Sequence, residues 1–227
     1  MSSPDPDEVE HIPPEAASTY TKLAAEYGQT YYQSVADDLA GRLTPGSRLL
    51  DAGTGPGFLP LLVADRVDDV RIDAFDFTAE LVSHGRRQTR QRGVEDCVSF
   101  FVGDCYGIPV VSERYSLLTC TGVLHSLDHP VRALTEFYRV LQPGGEAWVF
   151  DPAILDVPDD LDIHLTEHEQ EVFESYGTRA AEETPPLSVR EAERLAARSP
   201  FETVDIEEGK QGDVRLYLHR NEYTGND

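Results

Sequence analysis

The chain has 227 residues, with 42 acidic and 19 basic side chains, 40% hydrophobic residues and three cysteines. This length fits one domain or a domain with an appended lobe, and the apolar content fits a packed core, which excludes wholesale disorder. The net charge of −23 works against nucleic acid as a partner, because backbone phosphates must be met by clustered Lys and Arg.

Apolar residues recur at three- and four-residue spacing from Pro14 to Leu43 (Ala16, Tyr20, Leu23, Ala24, Tyr27, then Tyr31, Val35 and Leu39), which predicts helix. Pro45-Gly46 ends it. Residues 47–53 (SRLLDAG) read as a short buried strand that runs into a glycine-rich turn, followed by a helix over about 56–66 with a proline near its first turn. A second strand is expected over 70–76, then a helix capped by Thr78 and running to Arg92. A third strand is expected over 97–104, a fourth over 115–121, and a helix over about 129–141. Pro143-Gly144-Gly145 reads as a turn before a fifth strand over 146–151.

Strands alternating with helices at this spacing imply βαβ units, hence a doubly wound α/β fold with a mostly parallel, Rossmann-like sheet covered on both faces. Beyond Asp151 the rhythm breaks. Residues 152–187 are irregular and very acidic, with one expected helix over about 165–176. A last helix over 189–198 and two strands over 201–208 and 213–220 follow, joined by a connection of hairpin length, so the final pair is expected to be antiparallel. The organisation expected is an N-terminal helical segment (1–45) and a sheet domain (46–227), with 152–187 as a cap-like insert over a ligand pocket.

The most informative stretch is Asp51-Ala52-Gly53-Thr54-Gly55-Pro56-Gly57, at the carboxyl end of the first strand. In an open α/β sheet the crevice beyond the strand ends is where ligands bind. The spacing is G-x-G-x-G with an acid two residues before the first glycine. A pyrophosphate cradle has no use for that carboxylate, whereas a ligand carrying an ammonium would welcome it. Asp76 ends the second strand 23 residues past Gly53, a position that suits a carboxylate gripping ribose hydroxyls. Asp104 ends the third, where it could accept from an adenine amine or simply shape a turn. Three acids at three adjacent strand ends read together as one pocket.

These stretches, with VGDCYGIPV and the block YSLLTCTGVLHSLDHPVRALTEFYRVLQPGGEAWVF, resemble successive motifs of the class I S-adenosylmethionine-dependent methyltransferases. Within that class they are most similar to the small-molecule group that includes the quinone C-methyltransferases. The likeness runs from about Leu49 to Asp151, and it implies S-adenosyl-L-methionine as cofactor and a small-molecule methyl acceptor. Residue by residue, it implies Asp51 and Gly53 beside the methionine ammonium, Gly55 and Gly57 lining the turn, and Asp76 on the ribose. Asp104 and Cys105 would flank the adenine, and Thr121 would sit against the methionine portion. The family sheet has seven strands in the order 3-2-1-4-5-7-6 with strand 7 antiparallel, in agreement with the tail of this chain. No catalytic residue is universal in the family. His125 after the fourth strand, Asp151 at the end of the fifth and Tyr20 on the N-terminal helix are candidates to face the acceptor.

Other constellations weigh less. His164-Leu165-Thr166-Glu167-His168 spells H-x-x-E-H, a pattern of inverted zinc peptidases, but such a pattern arises easily where Glu is common, so no metal is expected. The absence of an NPPY-like motif argues against an adenine-N6 methyltransferase, and Cys120 lacks the preceding proline of the cytosine-C5 enzymes. A non-catalytic scaffold on the same fold, or an NAD-dependent oxidoreductase, are the alternatives; Asp51 and the missing sixth-position glycine disfavour the second.

Charge and cysteine usage suggest the setting. Residues 46–150 carry a net charge of −4 and residues 151–227 one of −13, and the basic residues are 17 Arg with only Lys22 and Lys210. Abundant acid with scarce lysine points to a halophile proteome, where salt mutes self-repulsion. No apolar run approaches the roughly 20 residues of a membrane span, and the acidic start is unlike a signal peptide. Cys97, Cys105 and Cys120 are widely spaced without a CxxC, so a disulfide framework is not expected and a reducing cytoplasm is the simplest setting.

Overall fold

The computed structural model describes residues 11–152, 164–172, 185–209 and 212–222. Its centre is a sheet of β1 (Arg48–Ala52), β2 (Arg71–Asp76), β3 (Val98–Val102), β4 (Tyr115–Thr121), β5 (Leu141–Asp151), β6 (Thr203–Glu208) and β7 (Val214–His219). The spatial order is β3-β2-β1-β4-β5-β7-β6. The first five strands pair in parallel, and β7 runs antiparallel to both β5 and β6. The expected seven-stranded architecture is therefore the observed one.

Helices cover both faces, so β1 is apolar on both sides: Leu49 enters one hydrophobic layer and Leu50 the other. The Leu50 layer packs against α5 (Pro130–Val140) and α7 (Val189–Ala196) through Leu134, Phe137 and Ala192. The Leu49 layer packs against α2 (Gln29–Arg42), α3 (Phe58–Ala64) and α4 (Ala79–Arg92) through Leu39, Val63 and Val82. Arg42 ties the end of α2 to the sheet: its Nε and Nη2 donate to Glu146 at 3.0 and 2.7 Å, and Trp148 Nε1 donates to the same carboxylate at 2.9 Å. Strand order reverses between β1 and β4, which places a ligand crevice at their carboxyl ends.

Several local expectations are corrected. The single N-terminal helix is a 3-10 turn (Pro14–Ala16), then α1 (Ala17–Tyr27) and α2, meeting at Gly28. A Cβ at Gly28 would lie 2.6 Å from the Ala24 carbonyl and 2.7 Å from the Tyr32 ring, so the junction admits no side chain. α3 starts at Phe58 rather than Pro56, and its first-turn proline is Pro60, where a missing N–H leaves no helical bond unmade. Thr78 stands at the N-cap of α4 without capping it, because its hydroxyl donates to the Ile12 carbonyl at 2.5 Å. Pro143-Gly144-Gly145 lies inside β5 instead of before it. The Gly144 N–H donates to the Arg220 carbonyl and the Arg220 N–H to the Gly145 carbonyl, both at 2.9 Å, so the exit of β7 holds the glycines in the sheet as an irregularity.

Of residues 152–187, expected as a cap-like insert, 153–163 and 173–184 lie outside the described residues. Within the expected helix, residues 167–172 (α6) are helical. They dock on α1 through one carboxylate: Glu169 accepts from Ser18 Oγ at 2.9 Å, Lys22 Nζ at 2.8 Å and the Thr166 N–H at 2.9 Å. Lys22 Nζ also reaches the His164 carbonyl at 3.4 Å. His164 and His168 are exposed, and no group that could hold a metal occurs among the described residues.

Candidate active site

The glycine turn leaves β1 and is fixed from β2. Thr54 N–H donates to the Phe75 carbonyl at 2.8 Å, and Gly55 N–H donates to Asp76 Oδ2 at 2.8 Å. Asp76 Oδ1 accepts the Thr78 N–H at 2.9 Å. Asp76 thus braces both the glycine turn and the start of α4, a structural duty beyond the ligand role read from the sequence. The Phe77 N–H also bears on this carboxylate, which can accept about four bonds in all. Burial pushes its pKa up, and the N–H bonds from Thr78 and Gly55, with the nearby His11, hold the rise back. His11 stacks on Phe77, ring centroids 3.7 Å apart.

Two glycines are obligatory for different reasons. Gly53 has φ +68°, and a Cβ there would lie 2.4 Å from Val123 Cγ2, so this turn is keyed into the loop that leaves β4. Gly57 has φ +84°, and a Cβ there would lie 2.6 Å from the Phe100 ring and 3.2 Å from Gly85 Cα. Its bare Cα lets α3 and α4 pack closely against the Phe100 ring of β3.

Asp51 is 2% exposed, and its Oδ2 is buried without a hydrogen-bond partner. Burial raises its pKa to about 7; the Thr54 hydroxyl beside it works in the opposite direction and the Asp76 charge in the same one. An orphaned buried carboxylate oxygen is costly unless something pairs with it. Across the crevice, Thr121 Oγ1 at the end of β4 is also buried and unpartnered. A cationic, hydrogen-bonding ligand with an ammonium fits this pair, and a pyrophosphate does not.

Tyr20 of α1 closes the turn from above, where a Cβ at Gly55 would lie 3.4 Å from its Cε1. Its hydroxyl is hydrogen-bonded to Tyr32 of α2, and its pKa rises in the fields of Tyr32 and, with burial, of Asp76. The structure thus sets Tyr20 over the glycine turn. Asp104 Oδ1 accepts the Tyr106 N–H at 2.8 Å, forming a turn just past β3. Cys105 is buried in the core layer that also holds Cys120. His125 and Asp151 come together at the ends of β4 and β5, with Nδ1 2.9 Å from Oδ1.

The sequence reading missed Asp213. It is fully buried just before β7, where Oδ2 accepts from Arg215 Nε at 2.7 Å and from Tyr31 Oη at 3.3 Å, while Oδ1 has no partner. Because β7 is antiparallel, its start lies beside the end of β5 (Val214 opposite Asp151). Only the strand reversal carries that signal; nothing local to Gly212-Asp213 does.

Residues 49–145 match the family described as methyltransferase domain. Among curated relatives, a ubiquinone/menaquinone biosynthesis C-methyltransferase from a Ruegeria species is 29% identical over 47% of this chain and 43% of that protein. A demethylmenaquinone methyltransferase from Thermus thermophilus is 32% identical over 50% of each. An arsenite methyltransferase from Halobacterium salinarum is 30% identical over 53% of this chain and 31% of that protein. The chain therefore spans about half or less of these relatives' length. Two solved structures share the fold. A Methanococcus maripaludis protein assigned to the S-adenosyl-L-methionine-dependent methyltransferases aligns with TM-score 0.73 over 100% of both chains at 17% identity. A SAM-dependent methyltransferase from Aquifex aeolicus aligns with TM-score 0.57 over 95% of this chain and 94% of that one at 20% identity. Residues 49–145 thus match a methyltransferase-domain model, and the sheet order β3-β2-β1-β4-β5-β7-β6 belongs to the fold that these two solved structures share.

Proposed function

We propose that the chain transfers the methyl group of S-adenosylmethionine to a small organic acceptor by in-line displacement. The observation that carries this reading is the buried, unpaired Asp51 oxygen in the glycine turn at the β1–β4 reversal. In this reading Asp51 and the Gly53 turn hold the methionine ammonium, and Thr121 contacts the methionine portion. Asp76 holds the ribose with its remaining lone pairs, Asp104 and Cys105 flank the adenine, and Tyr20 with Tyr32 covers the turn. When bound, the cofactor supplies an electrophilic methyl on a cationic sulfur. The protein's part is alignment and exclusion of water, which can supply most of the acceleration in such a transfer.

The acceptor class follows from what the core does with sulfur. Cys97 packs against the α2–α4 layer, whereas Cys105 and Cys120 belong to the opposite one. The three thiols do not converge, so this chain lacks the soft ligand set that would present arsenite. An organic acceptor is the reading kept.

The test is calorimetric titration with S-adenosylhomocysteine, the demethylated product. The parent should bind it and ignore NAD. Asp76→Ala should bind about 10- to 100-fold more weakly, since hydrogen bonds to a charged group contribute about 1.5–3 kcal/mol. NAD binding without S-adenosylhomocysteine binding would overturn the proposal. Transfer of labelled methyl into cell extracts then identifies the acceptor.

A further inference from the structure

The loop that leaves β4 is pinned by a single acid. Asp151 ends β5 with its side chain fully buried. Its Oδ2 accepts the His125 backbone N–H at 3.1 Å, and its Oδ1 accepts the Leu187 N–H at 3.4 Å and lies 2.9 Å from His125 Nδ1. The carboxylate therefore holds His125 by its backbone N–H and stands beside its ring, whose Nδ1 is buried and makes no hydrogen bond. The 2.9 Å separation leaves the charge of Asp151 acting on the ring at close range. The His125 side chain is 18% exposed, and Nε2 is neither buried nor engaged by any described residue.

The surroundings set the direction in which this nitrogen works. Val123, two residues before His125, fills the space that Gly53 leaves, so the loop abuts the turn that Asp51 enters. From α2, the Tyr31 phenol feels the Asp151 charge and is hydrogen-bonded to Asp213. From β7, Arg215 is spent on Asp213 and Asp38. The ring thus lies beside one buried carboxylate, with Nε2 unengaged by any described residue at the ends of β4 and β5.

Resting on the methyltransferase reading above, we propose that His125 is the general base of the transfer and that Asp151 is its positioning residue. A proton on the attacking group of the acceptor passes to Nε2, and the electron pair it leaves forms the bond to the methyl carbon while the carbon–sulfur pair returns to sulfur as a neutral thioether. Asp151 takes no proton; its charge 2.9 Å from Nδ1 favours a proton on that nitrogen and stabilises the imidazolium that forms.

The test begins with the ring itself. In protein labelled with 15N-histidine, the signal lost in His125→Gln assigns the residue, and long-range 1H–15N spectra report the tautomer. The neutral ring of the parent should carry its proton on Nδ1, and Asp151→Asn should move it toward Nε2. His125→Gln should bind S-adenosylhomocysteine within about twofold of the parent, yet methylate the acceptor found in the extract screen about 10²- to 10⁴-fold more slowly. An Nε2–H tautomer in the parent, parent-like turnover in His125→Gln, or an acceptor with no proton to lose would each overturn the assignment. Failure of the parent to bind S-adenosylhomocysteine would instead strike the methyltransferase reading, and the base role would fall with it whatever the tautomer.

Discussion

Burying Asp51 without a partner for Oδ2 raises its pKa to about 7, and this couples proton, cofactor and stability at one carboxyl. If an ammonium pairs with it, the bound form has the lower pKa, so binding must expel a proton wherever the free carboxyl is protonated. Affinity for S-adenosylhomocysteine should be level between pH 7 and 8 and fall by about tenfold per unit well below pH 7. Titrations at pH 6 in buffers of different ionisation enthalpy should show close to one proton released, and none in Asp51→Asn. Stability runs the opposite way. A carboxyl whose folded pKa is raised stabilises the fold fully only below its unfolded pKa, near 3.8; that contribution drains away up to pH 7 and is absent above it. Asp51→Asn should therefore melt several degrees above the parent at pH 8 and level with it at pH 4, while binding ligand poorly. A lower melting temperature at pH 8 would mean that the charge is paired in the free protein.

Among the elements, the joint between α2 and β5 depends on Glu146. Its burial alone would raise its pKa, but the bonds from Arg42 and Trp148 hold it below the ordinary glutamate range. Arg42 is half exposed, which discounts the pair to about 1–2 kcal/mol. Glu146→Ala should lower the melting temperature at pH 7 by about 2–8 °C and leave S-adenosylhomocysteine affinity unchanged. A lowered folded pKa contributes above the unfolded value and is lost as pH falls through the folded one, so the gap between variant and parent should narrow in acid. Differential scanning calorimetry across pH 3 to 7 checks both statements. Legibility in the sequence divides along the same line. The strands buried on both faces and the long amphipathic helices declared themselves, because period and burial are local properties. The glycines of β5 did not, since their place in the sheet is decided by Arg220 some 75 residues later. Asp51, Asp76, His125 and Asp151 were legible as strand-end residues. The hold of Asp151 on the His125 backbone and the bracing of Gly55 by Asp76 were not, because each needs two strand ends brought side by side. Asp213 joins the site only through the reversal of β7.

At the scale of the whole molecule, a charge of −23 on 227 residues repels itself across the surface, and repulsion beyond the Debye length is what salt removes. That length falls from about 10 Å at 0.1 M to about 3 Å at 1 M. The melting temperature should therefore climb steadily as potassium chloride is raised from 0.1 to 2 M. A flat or falling curve would show that the acid surface is not a load on stability. The same composition leaves two lysines, and Lys22 is held at 2.8 Å by Glu169 where α1 meets the segment that follows β5. Its amine is thus a single-site chemical reporter on that junction. A brief pulse of acetic anhydride, read by mass on the peptide containing residue 22, should acylate it slowly in the parent and several-fold faster in Glu169→Gln. Ligands that tighten the junction should slow the parent's rate further. Equal rates in the two proteins would mean that the contact is not kept in solution.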